Sequence, residues 1–190
     1  MDRILRSRKQ DPMHEVPFHT DTFFSMLFLF ALVPSLIILA PVMVLSLFSH
    51  KIRSKQTFPV TGALLALLAG FLPAALWLTW NSTTSITHYF HQGAPTQFPK
   101  WQVYGCGLSV AILSALIFIT YVRRRSALTV TSVFTAAGFT AAFAHTASFG
   151  ALTQQAVGVA LSYIGILLLV LLTNGVCLGI LALARRRPTL

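Results

Sequence analysis

The fold is decided by residues 102–149, which read QVYGCGLSVAILSALIFITYVRRRSALTVTSVFTAAGFTAAFAHTASF. This stretch consists of two long apolar runs, 102–122 and 127–149, which are separated by Arg123, Arg124 and Arg125. Three adjacent guanidinium groups are too costly to bury in hydrocarbon, so they predict a membrane surface. Each flanking run has about the length of roughly 20 residues that a membrane-spanning helix needs. The stretch therefore predicts two membrane helices joined by a short basic loop.

The composition extends this interpretation to the whole chain of 190 residues, of which 55% are hydrophobic and only 9% are charged. Soluble domains carry about 25% charged residues. Further long apolar runs cover residues 22–48, 58–80 and 156–184. We therefore predict an all-α polytopic membrane bundle of about five transmembrane helices. A polar tail, 1–21, precedes the bundle, and a basic tail, 185–190, follows it.

The first apolar run, 22–48, allows two interpretations. It is longer than the apolar core of a cleaved signal peptide, so we expect the mature protein to retain it. Pro34 and Pro41 lie within it, and proline kinks or breaks a helix. The run is therefore either a kinked span or a re-entrant hairpin, and a hairpin would have to be buried against other protein.

Basic residues predict the orientation, because short loops rich in Lys and Arg stay on the cytoplasmic side. A five-span model with the N-terminus outside places nine basic residues inside: Lys51, Arg53, Lys55, Arg123, Arg124, Arg125, Arg185, Arg186 and Arg187. The re-entrant model keeps the N-terminal tail inside as well and fits the charge rule even better. Both models predict a cytoplasmic C-terminus in a plasma membrane, with the bacterial inner membrane as the expected location.

The net charge of +10 is explained by the same loops. Arginines placed beside a bilayer attract anionic lipid headgroups. We therefore assign the two arginine clusters, 123–125 and 185–187, to topology and to lipid contact, and we predict no nucleic-acid partner.

Small residues four positions apart predict places where helices pack closely. Gly138 and Ala142 form one such pair, and Gly175 and Gly179 form another. The expected role is packing within the bundle, and the alternative is an interface with a second copy or with another membrane protein. Asn174 is the one amide deep within a span, and we expect it to hydrogen-bond to a neighbouring helix.

Histidines are the only residues with potential for metal chemistry. His88, His91 and His145 are all predicted on the outer side, where converging imidazoles could bind copper, zinc or a haem. The competing interpretation is that they are ordinary polar residues at the membrane interface. If the histidines are ordinary interfacial residues, we expect no resident cofactor.

The chain lacks the groups that most enzymes and transporters use. All four acidic residues precede residue 22, so no carboxylate lies in the predicted spans to orient a catalytic histidine or relay protons. We therefore predict a non-catalytic subunit of accessory, assembly or immunity type that packs against a larger membrane protein. The alternatives are a small carrier or channel for an anion or a lipid headgroup, and a redox subunit that uses the outer histidines.

The orientation can be measured by labelling single introduced cysteines in intact cells with a membrane-impermeant reagent. Cysteines in loop 81–100 should be labelled, and a cysteine beside Arg124 should not be, because the arginine loop is expected inside. A cysteine at position 5 should be labelled if residues 22–48 cross the membrane. Labelling beside Arg124 in sealed cells would contradict the orientation.

Overall fold

The structure, a computed structural model, describes residues 18–48, 58–80, 98–121, 126–149 and 152–186. These residues are 91% helical and contain no strand, which confirms the predicted all-α class. Five helices are long and apolar enough to cross a membrane. The prediction of a multi-pass helical bundle with about five spans is therefore confirmed.

The helical elements follow one another as α1 (Thr20–Leu27), a π-helical turn (Phe28–Leu32), α2 (Val33–Phe48), α3 (Val60–Trp77), α4 (Lys100–Tyr121), α5 (Ala127–Ala147) and α6 (Leu152–Arg186). The first three are contiguous and together form one helix, here called the N-terminal helix. It supplies one of the five candidate spans, and α3, α4, α5 and α6 supply the others.

The N-terminal helix runs without a reversal through the apolar segment, so the re-entrant alternative for residues 22–48 is wrong. Its span, Thr20–Leu45, has 26 residues, which corresponds to about 39 Å at the α-helical rise. The π-helical turn lies directly before Pro34, which has no N–H to donate to the preceding turn. The wider turn lets the helix continue past the proline, whereas a hairpin would need the chain to turn back.

Helix α5 lies at the centre of the bundle and contacts every other helix. In its apolar window 61% of the residues are buried, against 6% to 33% in the other four spans. The reason is its composition, since alanine, glycine and threonine fill most of its length. Small side chains let the neighbouring helices approach closely on all sides.

The closest of these approaches joins α3 to α5 through two glycines. A Cβ atom added to Gly70 would overlap the backbone oxygen of Thr135, and one added to Gly138 would overlap the backbone oxygen of Leu67. The two backbones are therefore in direct contact, with no room for a side chain between them. Ala142, one turn beyond Gly138, is buried in the same core.

Gly175 and Gly179 on α6 are placed differently. The sequence predicts that they pack within the bundle, and the structure does not show such packing. Both residues are exposed. A Cβ atom added to either would meet nothing within 4 Å. The buried side of α6 instead carries Val159, Tyr163, Val170 and Asn174. The two glycines therefore face away from the rest of the described chain.

Aromatic rings join α3 to α4 at one end of the bundle, here called the tryptophan end. The ring of Trp101 lies 5.8 Å from that of Trp77 and 6.2 Å from that of Trp80, between centroids. The fully buried Gln102 donates hydrogen bonds from Nε2 to the backbone oxygens of Trp77 and Trp80. The last carbonyls of a helix have no partner within that helix. The bonds from Gln102 satisfy carbonyls at and just beyond the end of α3.

The two kinds of glycine predict opposite responses to the same substitution. Gly138→Ala should destabilise the isolated protein by about 1–3 kcal/mol, because overpacking pushes the α3 and α5 backbones apart. Gly179→Ala should leave its stability unchanged or slightly raised, because alanine favours helix and meets open space. Thermal unfolding of both variants in the same detergent makes the comparison. Equal losses of stability would contradict the assigned packing.

Candidate functional site: a buried polar layer between the helices

Five uncharged polar side chains, carried by three helices, are completely buried. Ser114 lies on α4, Thr131, Ser132 and Thr135 lie on α5, and Asn174 lies on α6, all at 0% exposure. In a bundle whose surroundings are apolar, such a concentration of hydroxyl and amide groups is unusual, because burying a polar group costs free energy unless it is hydrogen-bonded.

The helix register brings three of these side chains, Ser114, Thr135 and Asn174, to the same depth. The neighbouring core cluster joins Val110 on α4, Phe139 on α5 and Val170 on α6. One helical turn further along each helix, towards the end away from the tryptophans, the same faces carry Ser114, Thr135 and Asn174, since residues four apart lie above one another. We call these three residues, together with Thr131 and Ser132, the polar layer.

One hydrogen bond within the polar layer connects two helices directly. Asn174 donates from Nδ2 to the Ser114 hydroxyl at 3.2 Å. A primary amide has an acceptor end as well as a donor end, and the Oδ1 atom of Asn174 has no hydrogen-bond partner in the described chain. Ser114 therefore accepts from the donor end of the amide and leaves its acceptor end unsatisfied.

The three α5 hydroxyls of the polar layer also lack partners among the described residues. Two other hydroxyls, one on α5 and one at its C-cap, behave differently: Thr140 donates to Ala136 O and Ser148 donates to Ala144 O, each at 2.8 Å. Such bonds to the preceding turn are the usual way for a helical hydroxyl to be satisfied. Thr131, Ser132 and Thr135 do not use it, and an unsatisfied buried polar group costs about 1–3 kcal/mol.

The polar layer can bind by hydrogen bonding but cannot perform acid–base chemistry by itself. It contains hydroxyls and one amide, none of which titrates near neutral pH. The sequence places every carboxylate before residue 22, so none is available in the later helices to activate a hydroxyl. The layer itself therefore supplies no general base that could activate one of its hydroxyls.

The predicted histidine site is described only in part. His88 and His91 lie outside the described residues, and His145 lies in the last turn of α5. Its ring is surrounded by aromatic rings: Phe18 at 5.3 Å, Phe149 at 5.4 Å and Phe23 at 6.2 Å between centroids. No group of three His, Cys, Asp or Glu side chains that could hold a metal occurs in the described part of the chain.

The segment before α1 is attached beside His145. The backbone N–H of His19 donates to the backbone oxygen of Ser148 at 3.0 Å. Phe18 then contacts Phe149, with 5.0 Å between ring centroids. The aromatic rings around His145 thus come from two parts of the chain, namely the start of the N-terminal helix and the residues just after α5.

The arginine clusters are mostly beyond the described structure. Arg123, Arg124 and Arg125 lie outside it, and so does Arg187, whereas Arg185 and Arg186 form the end of α6. Their assignment to topology and lipid contact therefore stays a prediction.

Two residues of the polar layer, Ser114 and Ser132, were not singled out from the sequence, and neither were Gln102 and Gly70, which join neighbouring helices. A usable signal existed for one of them. Cys106, Val110, Ser114 and Phe118 recur every four residues along α4 and form its buried face, so Ser114 could have been placed inside the bundle. Gly70 had no comparable signal, because its partner, Thr135 O, is a backbone atom of another helix.

No family model matches the chain, and no significant similarity links it to a curated protein or to a solved structure. The functional inference therefore rests on the chemistry and packing of its own residues.

The surroundings of His145 predict how it responds to substitution. His145→Ala should lower stability, because it removes a ring that contacts three phenylalanines, whereas His145→Phe should retain most of it. Thermal unfolding measures the effect, and elemental analysis of the purified protein measures bound copper, zinc and iron. A stoichiometric metal that His145→Phe removes would contradict the packing role and support the histidine site.

Proposed function

We propose that the protein is a non-catalytic membrane subunit that packs against a larger integral membrane protein. The observation that carries this proposal is the exposed glycine pair on α6. Gly175 and Gly179 lie one turn apart, and added Cβ atoms would meet nothing within 4 Å. Glycine weakens a helix by about 1 kcal/mol relative to alanine, and here no contact within the described chain offsets that loss. A second helix docked on this face would offset that loss.

The rest of the exposed α6 face supports the same proposal. Gly165 is also exposed and also has open space at its Cβ position. Large apolar side chains flank the three glycines on this face: Leu161, Leu168, Leu172, Val176 and Leu183. A groove of glycines bordered by leucine and valine lets a partner backbone approach and provides side chains that close around it.

The segment after Asn174 is also little covered by the described helices. From Gly175 to Ala184 every residue is exposed except Cys177 and Leu181, which are half-buried. The described helices therefore bury one side of α6 from Val159 to Asn174 and little of the helix beyond that residue. A partner helix alongside this segment would complete the packing that α5 gives to the first half.

The chemistry of the bundle favours a packing role over an enzymatic one. The polar layer contains no titratable group, and the sequence carries no carboxylate after Asp21. A carrier or channel for an anion or a lipid headgroup remains the alternative proposal, and it would rely on basic residues at the bundle ends. The redox alternative relies on His88 and His91, which lie outside the described residues.

Copurification in mild detergent tests the proposal. The double substitution Gly175→Leu and Gly179→Leu should abolish recovery of the partner subunit without changing the thermal stability of the isolated chain, because the leucines project into open space. The matched control is Gly107→Leu, since Gly107 on α4 also has nothing within 4 Å of an added Cβ. The control should retain the partner.

Other outcomes of this experiment have clear consequences. Retention of the same partner by the double variant would show that the α6 face does not bind it. Recovery of only a second, differently tagged copy of the chain, lost in the double variant, would replace the larger complex by a homodimer. If nothing copurifies with the unsubstituted chain, the proposed subunit role fails.

A further inference from the structure

We infer that the polar layer binds ordered water inside the membrane bundle. This site is distinct from the exposed α6 face, and nothing in the proposed packing role requires it. The inference starts from the four oxygen atoms of the polar layer that lie on residues at 0% exposure and have no hydrogen-bond partner in the described chain. They are Asn174 Oδ1, Thr131 Oγ1, Ser132 Oγ and Thr135 Oγ1.

The positions of three of these residues, Asn174, Thr135 and Thr131, allow a shared ligand. Thr135 and Asn174 lie in one layer, as the hydrogen bond from Asn174 to Ser114 and the core cluster one turn away both indicate. Thr131 lies one turn further along the same face of α5, about 6 Å away at the α-helical rise. One or two water molecules span such a distance, because a buried water makes about three hydrogen bonds.

The chemistry of the four atoms determines what the ligand must offer. The amide oxygen of Asn174 only accepts hydrogen bonds, so the ligand must donate. The threonine and serine hydroxyls both donate and accept, so they tolerate a ligand that does both. Water has two donors and two acceptors and is small enough to lie between tightly packed helices.

Charged ligands fit the site less well. Hydroxyl and amide oxygens would suit a sodium ion, but no carboxylate follows Asp21 in the sequence, and a buried unpaired charge is strongly unfavourable. An anion would meet the acceptor oxygen of Asn174. A neutral ligand avoids both penalties.

Helix α5 also carries a buried threonine outside the polar layer whose hydroxyl has a partner. Thr140, on another part of α5, satisfies its hydroxyl by bonding to Ala136 O and needs no ligand. The two threonines are equally buried, at 0% exposure, so Thr140 provides a matched control.

Solid-state NMR of the labelled protein in lipid bilayers tests the inference directly, with water as the probe. Magnetisation should pass from water to the side chains of Thr135 and Asn174, and it should reach Thr140 much more slowly. Transfer to Thr135 and Asn174 as slow as that to Thr140 would show a dry layer and overturn the inference.

Substitution by the isosteric valine provides an independent measurement. Thr135→Val should lower Tm by about 2–4 °C, because the bound water loses a partner. Thr140→Val should have a smaller effect, because it removes only a bond within its own helix. If Thr135→Val leaves Tm unchanged or raises it, the hydroxyl holds nothing and the inference is wrong, since removing an unsatisfied buried group is neutral or stabilising.

The third measurement separates water from a cation. Thermal unfolding of the unsubstituted protein is followed in sodium chloride and in choline chloride at equal ionic strength. Equal Tm values in the two salts are expected for a water site. A rise in Tm specific to sodium that Thr135→Val abolishes would assign the layer to a cation and overturn the inference.

Discussion

The backbone contact between α3 and α5 at Gly70 and Gly138 is the constraint on which the other packing in the bundle depends. Each glycine lies against a backbone oxygen of the other helix, so neither position can carry a side chain. In lipid the hydrophobic effect gives little drive for helices to associate, and close van der Waals packing has to provide it. This contact holds α5 at the centre, where α4, α6 and the N-terminal helix can pack around it.

The central position of α5 has a chemical consequence. Helix α5, none of whose residues is exposed, can place hydroxyl groups against protein, whereas a lipid-facing helix has to satisfy them on its own backbone. Thr131, Ser132 and Thr135 use this freedom, and Asn174 and Ser114 extend the polar surface onto α6 and α4. The polar layer is thus a product of the same small-residue composition that brings the helices together.

The two halves of α6 illustrate how one helix can serve two environments. Its first half packs against α5 through Val159, which shares a core cluster with Met26, Ala144 and Ala147. The segment after Asn174 carries the exposed Gly175 and Gly179, and none of its residues up to Ala184 is fully buried. Loss of helix propensity at Gly175 and Gly179, with no packing in the described chain to offset it, is the physical reason for proposing a partner there.

The sequence by itself determined the class of the protein. Long apolar runs separated by basic residues leave a helical membrane bundle as the only plausible architecture, since the hydrocarbon interior requires every backbone group to be satisfied within a helix. Periodic spacing also indicated the small-residue pairs at Gly138 and Gly175. It did not reveal which pair faces protein and which faces outward, because identical spacing serves both.

Only the tertiary structure decided the arrangement of the helices and the content of the candidate site. The π-helical turn before Pro34 resolved the first segment as a continuous helix, since a proline signals a lost hydrogen bond without specifying how the chain responds. The polar layer depends on the register between α4, α5 and α6, which bring Ser114, Thr135 and Asn174 together from separate parts of the chain. Register arises from interlocking side chains and glycine contacts across helices, and such contacts leave no periodic signal along one sequence.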